Sequence, residues 1–137
     1  MITTPDNIAV DSNVLIYLHD FSDKRKRRIA QEILADNPKI PMQVISEYLN
    51  ITRRILTLSK EDLLEHAARL FAPCNIVSVV PATLQYASAL VKRYQFQLFD
   101  AVIVAASIES GCQILYSEDM QHKLVADNML TILNPFV

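Results

Sequence analysis

Residues 7–11, Asn7-Ile-Ala-Val-Asp11, decide the fold. Three consecutive apolar residues closed by an acid are typical of a buried strand whose C-terminal end opens into a site. An acid in that position would be costly if it pointed inward without a partner, which makes Asp11 the strongest single candidate for a site residue. The alternative is a helix N-cap, because a helix is predicted from Val14 to about His19, although Ser12 or Asn13 can also cap it.

Strands and helices alternate along the rest of the chain. Further strands are predicted at 39–42, 76–80, 113–116 and 130–133, and helices at 24–35, 44–56, 60–71, 82–95 and 98–109. Ser59, followed three residues later by Asp62, has the spacing of a capping box at the start of the fourth helix. This alternation predicts an α/β fold with a parallel sheet covered on both faces, in which ligands bind at the carboxyl ends of the strands.

The composition indicates an ordinary globular protein with one domain, residues 1–137. The start of the chain lacks the basic and apolar segments of an export signal, and no apolar run is long enough to span a bilayer, so we expect a soluble, cytoplasmic protein without a membrane partner. The two cysteines, Cys74 and Cys112, are far apart and predict neither a disulfide framework nor a zinc site. A single glycine excludes the glycine-rich phosphate cradles.

The net charge of −2 at first counts against a polyanionic partner. However, if several carboxylates gather at one metal ion, the cation offsets them locally and the remaining surface can still be basic. Lys24-Arg-Lys-Arg-Arg28 is the densest charge run, and Lys24, Arg25, Lys26, Arg27 and Arg28 would neutralise the phosphates of a nucleic acid. The alternative, a solvated basic start of a helix, has equal weight.

The remaining candidate acids follow strands or begin helices. Asp100 lies in the first turn of the helix at 98–109, where an acid also favours the helix dipole. Glu47 lies on the helix predicted at 44–56, where an exposed glutamate is the usual finding. Glu118 and Asp119 both follow the strand at 113–116, and spacing does not say which points inward. Two or more of these carboxylates brought together would bind Mg²⁺ or Mn²⁺ and help to hydrolyse a phosphodiester.

Four segments in order carry a resemblance to a known family. They are Val10-Asp-Ser-Asn-Val-Leu-Ile-Tyr17, Val44-Ile-Ser-Glu-Tyr-Leu-Asn50, Phe99-Asp-Ala-Val-Ile-Val-Ala-Ala106 and Leu115-Tyr-Ser-Glu-Asp-Met-Gln-His122. The chain resembles a PIN domain, and more narrowly the VapC-type toxins of toxin–antitoxin modules. It departs from those toxins at Lys123 and Asn128, where they often have glycine.

The resemblance implies the fold, the chemistry and the partners. It implies a three-layer α/β/α sandwich with a central parallel sheet, a homodimer, an RNA substrate such as tRNA or rRNA, and inhibition by a cognate antitoxin protein. Asp11, Asp100 and Asp119 would bind Mg²⁺ or Mn²⁺, with Glu47 as the other catalytic acid. Ser12, Asn13, Ser117 and, secondarily, Glu118 would support the site.

The leading hypothesis is therefore a metal-dependent endoribonuclease, the toxin of such a pair. The alternative is a non-catalytic PIN-fold module that binds RNA or protein; its usual mark would be lost acids, and all four are present. A receiver-like phosphoacceptor fits poorly, because its first strand should end in an acidic pair and here ends in Asp11 alone.

Overall fold

The computed structural model describes residues 7–137; residues 1–6, where the absence of an export signal was expected, lie outside the described part. The strands are β1 (Ile8–Val10), β2 (Lys39–Pro41), β3 (Asn75–Val77), β4 (Ile114–Tyr116), β5 (Val125–Ala126) and β6 (Leu130–Leu133). The helices are α1 (Ser12–Ile16), α2 (Lys24–Ala35), α3 (Met42–Ile55), α4 (Lys60–Phe71), α5 (Pro81–Tyr94) and α6 (Leu98–Glu109), with a 3₁₀ turn at Tyr17–His19 after α1.

The strands form one mostly parallel sheet in the order β3-β2-β1-β4-β6-β5. Four neighbouring pairs are parallel, and only β5 runs antiparallel to β6. The predicted α/β fold with a central parallel sheet is therefore confirmed, with β5 as an antiparallel addition that the sequence did not predict. β5 has only two residues and owes its pairing to the tight turn into β6, where Asp127 and Asn128 both have positive φ.

The sheet topology brings the ends of β1 and β4 together. Consecutive strands run outward from β1 to β2 and β3 on one side, while β4 and β6 lie on the other side. Val10 is paired with Tyr116, so the residues that follow, Asp11 and Ser117, leave the sheet side by side. A reversal of strand order of this kind opens a crevice at the carboxyl ends of the strands, where ligands of α/β proteins bind.

Helix α6 is the most deeply buried helix among residues 7–137. It is apolar almost all round, and Ala101 through Ser107 are all buried as it packs against α5, α3, β2 and β6. A helix segment that is apolar all round is expected to be buried on every side. Because the helix is buried from Ala101 to Ser107, the residue just before this segment, Asp100, is held in a defined position.

Helix capping agrees with the sequence at one helix and differs at another. The Ser59 hydroxyl accepts a hydrogen bond from the Asp62 backbone N–H at 3.1 Å, as the capping pattern predicts. At α1, however, the cap is Asp11, whose carboxylate accepts from the Ser12 N–H, and the prediction of Ser12 or Asn13 as the cap is wrong. Asp11 takes the role because its extended backbone directly precedes the first helical residue.

Lys123 and Asn128, where the VapC-type toxins often have glycine, both adopt a backbone conformation that glycine favours. Lys123 has φ +71° and Asn128 has φ +55°, both in the left-handed region. Asparagine tolerates this conformation, whereas lysine adopts it at a cost of about 1–2 kcal/mol. None of the helices within residues 7–137 is long and apolar enough to cross a membrane.

Candidate active site

Four acids from four separate elements line one cavity of about 290 Å³. Asp11 lies between β1 and α1, Glu47 on α3, Asp100 in the first turn of α6, and Asp119 in the loop after β4. They include every acid that the sequence placed at the centre of the site. The cavity opens at the carboxyl ends of β1 and β4, as expected for an α/β sheet.

Asp11 is the most buried of these acids, with 3% of its surface exposed. Its Oδ1 accepts from the Ser12 backbone N–H at 2.7 Å. Its Oδ2 accepts from Ser117 Oγ at 2.8 Å and from Asn13 Nδ2 at 3.2 Å. Both oxygens are therefore held by neighbouring donors, and the carboxylate has little freedom to rotate.

Ser12 connects Asp11 to Glu47. Its hydroxyl lies 2.9 Å from Glu47 Oε2 and 3.4 Å from Asp11 Oδ1. Asn13 makes a similar connection on the other side, because its Oδ1 accepts from the Glu118 backbone N–H at 3.0 Å. The short polar residues after Asp11 thus join the end of β1 to α3 and to the loop after β4.

Burial, together with the neighbouring carboxylates, raises the pKa of two acids of the cavity. Burial is the main cause that raises the pKa of Asp11 to about 6; hydrogen bonds from Ser117 and Ser12 oppose it, and the charges of Asp100 and Glu47 add to it. Burial also raises the pKa of Asp100, with further contributions from Glu47 and Asp119. Negative charges that repel one another in a partly buried cavity are best relieved by a bound cation.

Glu118 and Asp119, between which the sequence does not decide, have different surroundings in the structure. Asp119 lines the cavity with the other three acids. Glu118 instead accepts hydrogen bonds from Tyr17 Oη at 2.7 Å and from Lys26 Nζ at 2.6 Å. Burial acts to raise the pKa of Glu118. The hydrogen bonds from Lys26 and Tyr17 and the positive charge of Lys26 outweigh this effect, so that the pKa of Glu118 is lowered.

Two residues of the cavity were missed by the sequence analysis. Asn50 and Ile51 line it from α3 together with Glu47. Asn50 is three residues after Glu47, and this spacing places both on one face of a helix. The available signal was therefore the helical period counted from Glu47.

The basic run from Lys24 to Arg28 is engaged mainly in contacts with other residues of the protein. Besides its bond to Glu118, Lys26 lies 4.8 Å from the centre of the Tyr17 ring. Arg25 donates to the Phe136 carbonyl at 2.7 Å, and Arg27 lies over the Phe21 ring at 4.5 Å. Arg28 is 3.9 Å from Glu32 on the same helix, and Lys24 is exposed. None of the five lines the acidic cavity.

The donors in the cavity suit a hard divalent cation. Carboxylate and amide oxygens line the cavity, and oxygen is the ligand atom that Mg²⁺ and Mn²⁺ prefer. Between Asn7 and Val137, no three His, Cys, Asp or Glu side chains form a group that could hold an ion. In Mg²⁺ sites one or two carboxylates usually bind the ion directly, and waters complete the octahedron.

Comparison with protein families gives one match over most of the chain. The sequence model of the PIN domain family matches residues 8–128. This range contains all four acids of the cavity. No curated protein matches the sequence significantly.

Solved structures of similar fold include toxins of toxin–antitoxin systems. VapC20 of Mycobacterium tuberculosis, a toxin that cleaves the sarcin–ricin loop, has a TM-score of 0.65 and 22% identity over 82% of this chain and 89% of that one. A toxin–antitoxin complex from Klebsiella pneumoniae gives 0.69 and 18% identity over 93% and 97% of the two chains. FitAcB from Neisseria gonorrhoeae gives 0.63 and 14% over 94% and 98%. At these identities the likeness concerns the fold.

Proposed function

Because the chain belongs to the PIN domain family, we propose that it is an endoribonuclease that requires Mg²⁺ or Mn²⁺ and hydrolyses RNA phosphodiester bonds. The observation that carries the proposal is the convergence of Asp11, Glu47, Asp100 and Asp119 on one cavity. Burial is the main cause of the raised pKa of Asp11, and the charges of Asp100 and Glu47 raise it further, which a bound cation would offset.

Asp11, Asp100 and Asp119 are the proposed metal-binding acids, which hold the cation directly or through its coordinated waters, and Glu47 is the proposed fourth catalytic acid. A bound divalent cation supplies positive charge and lowers the pKa of a coordinated water. The chain itself contributes positioning: Ser12 fixes Glu47, and Ser117 with Asn13 fixes Asp11. Asn50 adds an amide that can orient a water or a phosphate oxygen.

The proposal includes a toxin role with a cognate antitoxin as partner, and it treats the chain as one nuclease domain. Its support is the fold shared with VapC20 and with the Klebsiella pneumoniae toxin–antitoxin complex. We also propose a homodimer. Leu98 and Phe99 at the start of α6 are 70% and 53% exposed, and large exposed apolar side chains of this kind mark a surface that binds a protein. Sedimentation of the purified chain and of a Phe99→Glu variant tests the dimer, which the charge should weaken.

The experiment for the catalytic proposal is cleavage of total RNA by the purified chain. We expect cleavage with Mn²⁺ or Mg²⁺ and none after chelation by EDTA. Asp11→Asn and Asp100→Asn should each abolish it, while Asp36→Asn, a change at an exposed acid outside the cavity, should not. Circular dichroism of every variant shows whether it remains folded.

Two results would contradict the proposal. Full activity of a folded double variant, Asp11→Asn with Asp100→Asn, would show that the acidic cavity is not the active site. A wild-type chain that binds RNA but cuts none with either cation would favour the non-catalytic binding module.

A further inference from the structure

A second cavity of about 220 Å³ adjoins the acidic one. The two share Asp100 and Asp119, so they are neighbouring parts of one surface depression. A polymer whose phosphate lies among the four acids can therefore reach the second cavity with an adjoining part. Drug-sized ligands occupy pockets of about 300–1,000 Å³, so the second cavity has room for a fragment of a larger substrate rather than for a whole ligand.

The second cavity differs from the first in its chemistry. Three amide side chains line it, Gln95, Gln97 and Gln121, beside two aromatic residues, Tyr94 and Phe96. Within residues 7–137, none of these three amides forms a side-chain hydrogen bond with another protein group. Each amide therefore keeps one acceptor and two donors available for a ligand.

The aromatic part of the wall is fixed in place. Tyr94 Oη donates to Asp127 Oδ1 at 3.0 Å and accepts from the Asp127 backbone N–H at 2.7 Å. Arg93 holds the same carboxylate through contacts of 3.0 and 2.6 Å. The Phe96 ring packs against Tyr94 with 5.6 Å between ring centres. The wall is therefore formed before any ligand arrives, which lowers the cost of binding.

The combination of rigid aromatic rings and open amides matches the chemistry of a nucleobase. Bases splayed out of single-stranded RNA stack on aromatic side chains and are identified by hydrogen bonds at their edges. Glutamine offers the paired donor and acceptor that a base edge requires. The amides carry no charge, so they add no repulsion to a backbone phosphate beside Asp100 and Asp119.

From this arrangement we infer that the cavity formed by Gln95, Gln97, Gln121, Tyr94 and Phe96 binds one base of the RNA adjacent to the cleaved phosphodiester and sets the base preference there. The inference rests on the proposed ribonuclease function. Tyr94 and Phe96 pack on the core and also line the cavity.

The test maps the cleavage sites of the full chain in a random-sequence single-stranded RNA oligonucleotide with Mn²⁺. Gln97→Met and Gln121→Met keep the side-chain length but remove the amide. Gln85→Met, at an exposed position on α5 outside the cavity, is the matched control. Sequencing of the product ends gives the base preference at each position around the cut.

We expect the wild-type chain and the Gln85 variant to prefer the same base at one position beside the cut. Gln97→Met or Gln121→Met should reduce that preference by about fivefold or more, the lower limit for one base-specific contact, while cutting continues. A wild-type preference that both variants retain unchanged would overturn the inference, as would a wild-type chain that cuts without base preference.

Two further outcomes separate the inference from its alternatives. If the wild-type chain cuts no RNA, the ribonuclease proposal itself fails, and the base-binding inference falls with it. If base preference stays constant but both variants bind an arginine-rich peptide more weakly than the Gln85 control does, the cavity serves a protein partner and the inference is wrong.

Discussion

Ser12 Oγ donates a hydrogen bond of 2.9 Å to Glu47 Oε2, which joins two residues 35 positions apart in the sequence. Ser12 immediately follows Asp11 and also begins helix α1. This hydroxyl therefore links the carboxylate at the end of β1 to the carboxylate on α3.

Replacing Ser12 by alanine should release Glu47 without removing any proposed metal ligand. We expect cleavage to fall by about 10–100-fold, the usual effect of losing a group that orients a metal-site residue. The Mn²⁺ concentration for half-maximal activity should rise in parallel. Ser46→Ala, at the exposed neighbour of Glu47, is the control, and equal effects of both variants would contradict the positioning role.

The stability of the metal-free protein should fall as the pH rises through the titration of Asp11. Its pKa is raised to about 6 in the folded chain from 3.8, so the folded state binds more protons than the unfolded state between these values. At about 1.4 kcal/mol per pKa unit, Asp11 contributes a loss of about 3 kcal/mol by neutral pH.

Urea unfolding of the wild type and of Asp11→Asn at pH 4 to 7.5 measures this loss. The difference between the two curves isolates Asp11 from the other carboxyls. We expect the asparagine variant to be the more stable one at pH 7 without metal, and Mn²⁺ to reverse the order. A difference that does not change with pH would refute the raised pKa.

Asp119 and Glu118 should respond differently to removal of their charge. Asp119→Asn should reduce cleavage by about 100-fold because it removes a proposed metal ligand. Glu118→Gln should leave most of the cleavage and cost about 1 kcal/mol of stability or less, since its partly exposed partner is Lys26. Single-turnover rates and thermal unfolding of both variants decide this, and the opposite pattern would assign the metal-binding role of Asp119 to Glu118.

Asp127 should act on stability through the hydrogen bonds that attach the β5–β6 turn to α5. Its carboxylate accepts from Tyr86 at 2.6 Å as well as from Tyr94 and Arg93. Asp127→Asn tolerates the left-handed backbone but weakens these bonds, and we expect a loss of about 1–3 kcal/mol. Thermal unfolding against Asp36→Asn measures it; an unchanged melting temperature would show that the turn is held by other contacts.

The sequence predicted the elements well where one local pattern decides them. Helix α2 begins and ends where expected, at Lys24 and Ala35, and α6 does so at Leu98 and Glu109. Both have a marked pattern, an amphipathic face in one and continuous apolar residues in the other. β5 has no such pattern, because two residues next to a turn show no periodicity and their pairing is with a strand further along the chain.

The sequence by itself determined the α/β fold, because alternating apolar strands and amphipathic helices are local signals. It also determined that some acids follow strands, as Asp11 does, and that others lie on helices, as Asp100 does. Only the tertiary structure decided how those acids are used. It directs Asp119 into the cavity and Glu118 toward Lys26, although the two are adjacent in a loop without periodicity. It also assembles the amide-lined cavity from Gln95, Gln97 and Gln121. The physical reason is that side-chain direction in loops depends on partners distant in sequence, which only chain packing brings into contact.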